Sequence, residues 1–128
     1  MFRQGNYPLP MKKKILIVED DISIQDALEL ILEMNGYSTS RAVTKEQVLQ
    51  IVKDQKISLI LMDYLLGGGV TGIDIAHAIP IKKKIPVVLL SASYRLEQLA
   101  KEEDRIEDYL PKPFELDELL TTIKKYAG

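Results

Sequence analysis

Ser58-Leu59-Ile60-Leu61-Met62-Asp63 enters on a polar residue, runs through four apolar ones and stops abruptly at one carboxylate. With Gly67-Gly68-Gly69 just downstream, the run predicts a strand buried on both faces, since a strand with one wet face would alternate. A carboxylate where such a strand leaves its sheet lies at the edge that open α/β proteins use for binding and chemistry. Other polar groups are directed to the same place. Acids (Glu19, Asp20, Asp21) follow the first predicted strand, Ser91 follows the fourth and Lys112 the fifth.

Working outward, Ile15-Leu16-Ile17-Val18 reads as another fully buried strand, and Pro86-Val87-Val88-Leu89-Leu90 as a third of this kind. Tyr37 to Ala42 is short and polar enough for an edge strand, and Asp108-Tyr109-Leu110 is a short last one. Between them, Ile24, Ala27, Leu28, Ile31 and Leu32 recur at helical spacing, with Asp21 as N-cap and Gly36 as stop. Thr44-Lys45-Glu46-Gln47 is a capping box ahead of Val48, Ile51 and Val52. A short helix over Ile73 to Ile79 is stopped by Pro80, and Leu96, Leu99 and Ala100 suggest a weaker fourth helix. Leu116, Leu119, Leu120, Ile123 and Ala127 line one face of the last helix, whose acids and lysines match its dipole. Five strands alternating with five helices predict a doubly wound α/β fold with a five-stranded parallel sheet.

At 128 residues the chain is one domain with a sizeable core. Residues 1–11 read as an extended or disordered tail, with Met11 a candidate start, and 12–128 as the domain. The net charge of −2 gives no reason to expect nucleic-acid or anionic-membrane binding by the domain. With no cysteine, disulfides, thiolate metal sites and cysteine nucleophiles are excluded. Apolar runs fall short of a membrane span and no signal peptide is visible, so a cytoplasmic location is expected.

A parallel sheet brings all its C-terminal strand ends to one edge, so Glu19, Asp20, Asp63, Ser91 and Lys112 should meet there. Clustered carboxylates repel, and a hard divalent cation relieves the repulsion; carboxylates plus a carbonyl and waters suit Mg2+. A carboxylate beside Mg2+ is also a nucleophile toward phosphorus, with an ammonium and a hydroxyl to receive the phosphoryl oxygens.

Four motifs stand in this order: Ile15-Leu16-Ile17-Val18-Glu19-Asp20-Asp21, Leu59-Ile60-Leu61-Met62-Asp63, Val88-Leu89-Leu90-Ser91-Ala92 and Asp108-Tyr109-Leu110-Pro111-Lys112-Pro113-Phe114. Together they closely resemble the receiver domain of two-component response regulators, over residues 12–127. The resemblance implies a flavodoxin-like fold with strand order 2-1-3-4-5. It implies Asp63 as phosphoacceptor from a histidine kinase or phosphotransfer protein, with Ser91 and Lys112 on the phosphoryl oxygens. Mg2+ (or Mn2+) would be held by Asp20 and Asp63, by Glu19 through water and by the carbonyl of Leu65. Tyr109 would be the aromatic switch coupled to Ser91, signalling through the fourth helix, fifth strand and last helix to a downstream protein effector. A cis Lys112–Pro113 bond and a phosphorylation-dependent homodimer are also implied. Such a domain is a switch rather than an enzyme, limited to self-phosphorylation and autodephosphorylation.

The pattern is not followed everywhere. Gly67-Gly68-Gly69 replaces the usual Pro-Gly, Gly72 arrives one residue late, and Arg105-Ile106-Glu107-Asp108 precedes the switch aromatic. An excised N-terminal receiver of a DNA-binding transcriptional regulator is the first alternative. An aspartate-based phosphatase is the second, disfavoured because Leu65 stands where such enzymes carry a general-acid Asp. Leu65 and Ser93 would flank the route of a hydrolytic water. His77 reads as a surface residue and Lys82-Lys83-Lys84 as a solvated loop.

Overall fold

The computed structural model describes residues 11–128 except 93–97, 99 and 100. The tail over 1–10, Ser93 and the fourth-helix residues Leu96, Leu99 and Ala100 therefore lie outside the described residues. In order come β1 (Lys14–Val18), α1 (Ile22–Met34), β2 (Ser38–Ala42), α2 (Lys45–Asp54), β3 (Leu59–Asp63) and α3 (Gly72–Ala78). A 3-10 turn (Ile81–Lys83), β4 (Val87–Ser91), β5 (Asp108–Pro111) and the C-terminal helix α4 (Leu116–Ala127) complete them. Gln98, Lys101 and Glu102 are helical as well. One parallel sheet runs in the order β2-β1-β3-β4-β5.

Strand periodicity divides the core in two. Leu16, Val18, Ile60, Met62 and Leu89 face α2 and α3 through Val48, Val52, Ile75 and Ala76. Their neighbours Ile15, Ile17, Leu59, Leu61, Val88 and Leu90 face α1 and α4 through Leu28, Leu32, Leu119 and Ile123. Burial on both sides is why these strands read as continuous apolar runs. Edge strand β2 is half-buried over Ser38–Arg41.

Local chemistry starts and stops the helices as expected. The Asp21 carboxylate accepts from the backbone N–H of Ser23 and Ile24 at the start of α1, and Thr44 and Gln47 form the capping box of α2. Thr71 and Asp74 form a second box on α3, which Pro80 follows. Three expectations are corrected. On α1 Ala27 is exposed, and Gln25 is buried instead with Leu28 and Leu32, because its amide finds polar partners. Leu116 is exposed, the first residue of α4, whose buried face begins at Leu119. Lys82 and Lys83 belong to the 3-10 turn, closed by a hydrogen bond from Lys84 N–H to Ile81 O. None of the described helices is long and apolar enough to cross a membrane.

Leu61 sits mid-strand with no exposure. Leu61→Ala is expected to cost about 3 kcal/mol, as loss of transfer energy plus an unfilled cavity. Urea unfolding checks this, and a loss below about 1 kcal/mol would mean the central strand is less tightly packed than described.

Candidate functional site

The strand ends are tied side by side before any side chain meets another. Asp63 is in register with Leu90, and Ser91 with Pro111. Past the ladder, Glu19 N–H donates to Ala42 O (3.3 Å), Tyr64 N–H to Leu90 O (2.8 Å) and Lys112 N–H to Ser91 O (2.7 Å). These bonds bring Glu19, Asp20, Asp63, Ser91 and Lys112 to one edge, as the sequence led us to expect. Among the described residues, Glu19, Gln25, Asp63 and Ser91 are the buried polar side chains.

Lys112 spans the cluster. Its Nζ lies 2.8 Å from Glu19 Oε2 and 3.3 Å from Asp63 Oδ1. Pro111 and Pro113 flank it, and the Lys112–Pro113 bond is cis. Burial pulls the Lys112 ammonium down, but its hydrogen bond to Glu19 and the charges of Asp63 and Glu19 outweigh this and hold it above the ordinary lysine range. Burial, then the Glu19 charge, pushes the Asp63 carboxyl from an ordinary 3.8 to about 6, with Lys112 opposing. Asp20 stands exposed beside them, so the acid pair divides into a buried and a wet member.

Carboxylate oxygens of Glu19, Asp20 and Asp63 all lie within 4.8 Å of one another. This all-oxygen donor set, strained by like charge, fits a hard divalent cation such as Mg2+. Leu65 is exposed on the loop after β3, two residues past Asp63, and forms an isolated bridge with Thr71. Tyr109 is half-buried, paired with Leu89 across β4 and β5, and packs against the core on the α2 and α3 side of the sheet.

The roles of two positions escaped the sequence reading. The buried Gln25 amide donates to the backbone carbonyl of Glu19 and accepts from Arg41 Nη1 at 3.4 Å. Arg41 in turn pairs with Asp26 and Glu29, both at 2.7 Å. A polar residue on the inner face of α1 was the only signal, and only the partners explain it. Gly72 is the other. A Cβ there would lie 2.2 Å from Asp63 O, so only glycine lets α3 start against the end of β3. His77 is a surface residue as expected, paired with Glu103.

The raised Asp63 carboxyl sets a pH dependence. Folding disfavours the ionised form, so the contribution of Asp63 to stability falls as pH rises from about 4 through about 6, and the fall is complete above that range. Asp63→Asn removes the loss. Without divalent cations it is expected to be more stable than wild type by about 2 kcal/mol near neutrality and no more stable below about pH 4. Urea unfolding across pH in chelator checks the sign.

The chain matches the response regulator receiver domain over residues 15–124. It is 30% identical over 115 residues to the DNA-binding response regulator MtrA of Mycobacterium tuberculosis, covering 89% of this chain and 50% of MtrA. The chain spans about half the length of the curated relatives it matches. Chemotaxis protein CheY4 of Vibrio cholerae superposes with a TM-score of 0.79 at 25% identity, covering 91% of this chain and 99% of CheY4. The receiver domain of sensor histidine kinase PA1611 from Pseudomonas aeruginosa has a magnesium ion coordinated in its active-site cleft. It superposes with a TM-score of 0.74 at 28% identity, covering 92% of this chain and 99% of that one. The sheet order and the match over residues 15–124 together make this chain a member of the response regulator receiver family of two-component signalling.

Proposed function

We propose that the domain is a phosphorylation-dependent switch that accepts a phosphoryl group on Asp63 from a histidine kinase or a histidine phosphotransfer protein. The observation that carries this is a single ammonium, Lys112 Nζ, in reach of both Glu19 and Asp63. An ion pair serving stability alone needs one partner. Here the lysine spans two buried carboxylates beside exposed Asp20, with Ser91 at the neighbouring strand end.

An Asp63 oxygen forms a bond to phosphorus as the bond from phosphorus to the donor's histidine nitrogen breaks, and that nitrogen leaves with its electron pair. Lys112 and Ser91 receive the new phosphoryl oxygens. Asp20, Asp63, Glu19 through water and the Leu65 carbonyl would hold Mg2+ (or Mn2+), which would supply positive charge against the negative phosphoryl oxygens. Ile22, exposed at the start of α1, adjoins the acids, and exposed Leu30 and Met34 lie further along the same helix, apolar contacts suited to a donor's helix. Movement of Ser91 toward the phosphoryl group would draw Tyr109 inward. It would thereby alter the face made by β5, α4 and the helical residues Gln98, Lys101 and Glu102, for an effector or a second copy to read. The chemistry is confined to self-phosphorylation and autodephosphorylation.

Because the chain spans half of relatives named as DNA-binding response regulators, a second reading is that it is the N-terminal receiver of a transcriptional regulator. Both readings share the site, and the length of the gene separates them.

Incubation with a small-molecule phosphodonor and Mg2+ is expected to add one phosphoryl group by intact mass, and to add none to Asp63→Asn or in chelator. An adduct that persists in Asp63→Asn would overturn the assignment. Exposed, apolar Leu65 should also hinder the hydrolytic water. The phosphoryl group on wild type is therefore expected to outlive that on Leu65→Asn several-fold, and a wild type no longer-lived than the variant contradicts this.

A further inference from the structure

The net charge of −2 conceals a strong segregation. Parallel strands carry their N-terminal ends to the edge opposite the acid cluster. Lys12-Lys13-Lys14 leads into β1, Lys56 precedes β3, and Lys82-Lys83-Lys84 precedes β4. In the order β2-β1-β3-β4-β5 the starts of these three strands are adjacent, so seven lysines share one stretch of sheet edge about 10 Å across. Lys14 is half-buried and the other six are exposed. None makes an ion pair among the described residues.

Lysines at helix C-termini can merely offset helix dipoles, and Lys53, Lys124 and Lys125 fit that account. The seven do not all fit it. Lys12–Lys14 lead into a strand, and Lys56 lies past the end of α2. Lys84 is held at φ 53, the only non-glycine residue with positive φ among the described residues. Glycine would sit there without strain, yet the chain carries an ammonium.

The lysines also border a concavity. Lys12, Lys13, Lys14 and Lys56 line a groove of 690 Å3 together with the hydroxyl-bearing Ser38 and Ser58. Glu33 is the one acid in the lining, and its Oε2 lies 3.4 Å from Thr39 Oγ1. We infer that this N-terminal sheet edge is a docking surface for a carboxylate-rich peptide segment of a partner protein. Ammonium groups on flexible stems and serine hydroxyls match scattered carboxylates. A groove of this size admits an extended chain but not a double helix, which could only lie across its rim. The lining has no aromatic side chain on which bases would stack. Met11 is the one large apolar side chain in the groove lining, too little to form an apolar face that sinks into lipid. The surface lies at the opposite edge from Asp63, so it could hold a partner while the phosphorylation site stays open.

The test is fluorescence anisotropy with a labelled peptide of alternating Glu and Ser, at about 50 mM salt so that screening is modest. Duplex DNA and phosphatidylserine vesicles serve as competing probes. Two variants are compared with wild type: Lys12→Glu/Lys14→Glu/Lys56→Glu in the groove, and Lys82→Glu/Lys83→Glu confined to the exposed turn. Matching thermal midpoints show that the variants are folded. Saturable binding is expected, weakened at least about tenfold by charge reversal in each variant and further by added salt. Peptide-induced amide shifts should gather at residues 12–14, 56–58 and 82–85. Absence of saturable binding by wild type, binding unchanged in a folded charge-reversed variant, or tighter binding of duplex or vesicles than of the peptide would overturn the inference.

Discussion

Two buried carboxylates sharing one lysine set the terms for this molecule. Glu19 and Asp63 are both buried, and the ammonium of Lys112 lies between them within hydrogen-bond reach of each. That ammonium has to come from a residue almost fifty positions beyond Asp63 in the chain, delivered to within hydrogen-bond reach. Only a sheet whose parallel strands end together does this. β1, β3, β4 and β5 each release their polar group at the same edge, and backbone bonds past the ladder hold those ends in register. The arrangement balances the pair only in part, since Asp63 still lies well above the usual carboxylate range. A site left short of positive charge is suited to a cation and, once the cation is bound, to a phosphoryl group.

Much of this was legible in the sequence, for reasons that differ by residue. The apolar runs before Glu19, Asp63 and Ser91 were readable because double-sided burial forces every strand residue to be apolar. Asp21 and Thr44 were readable because capping is local, a matter of a side chain and a backbone N–H a few positions on. Gln25 was not. Its partners, the Glu19 carbonyl and Arg41, come together only after α1 has packed and β2 has joined the sheet. The role of Gly72 was hidden likewise, since nothing in its neighbours reveals that a Cβ would collide with Asp63 O. Leu116 shows the converse: helical periodicity assigns it to the buried face, yet as the first residue of α4 it is left uncovered.

The same topology that gathers acids at one edge gathers lysines at the other. Composition alone reports near neutrality, because the two populations almost cancel in the total. Helices in such a fold run back from the acid edge, so their negative dipole ends meet the lysine edge and temper its field. That offset is incomplete for the lysines leading into β1, β3 and β4, which carry their charge without a paired acid among the described residues. The molecule thus has two chemically distinct ends, one suited to a cation and a phosphoryl group, the other to carboxylates.

The most direct measurement is to locate the phosphoryl group. An aspartyl phosphate is an acyl phosphate, which borohydride reduces to a stable alcohol that survives proteolysis. Mass mapping of the treated protein should find the reduced residue at Asp63 and at no other acid. A reduced residue at Asp20 or Asp21, with Asp63 intact, would contradict the account.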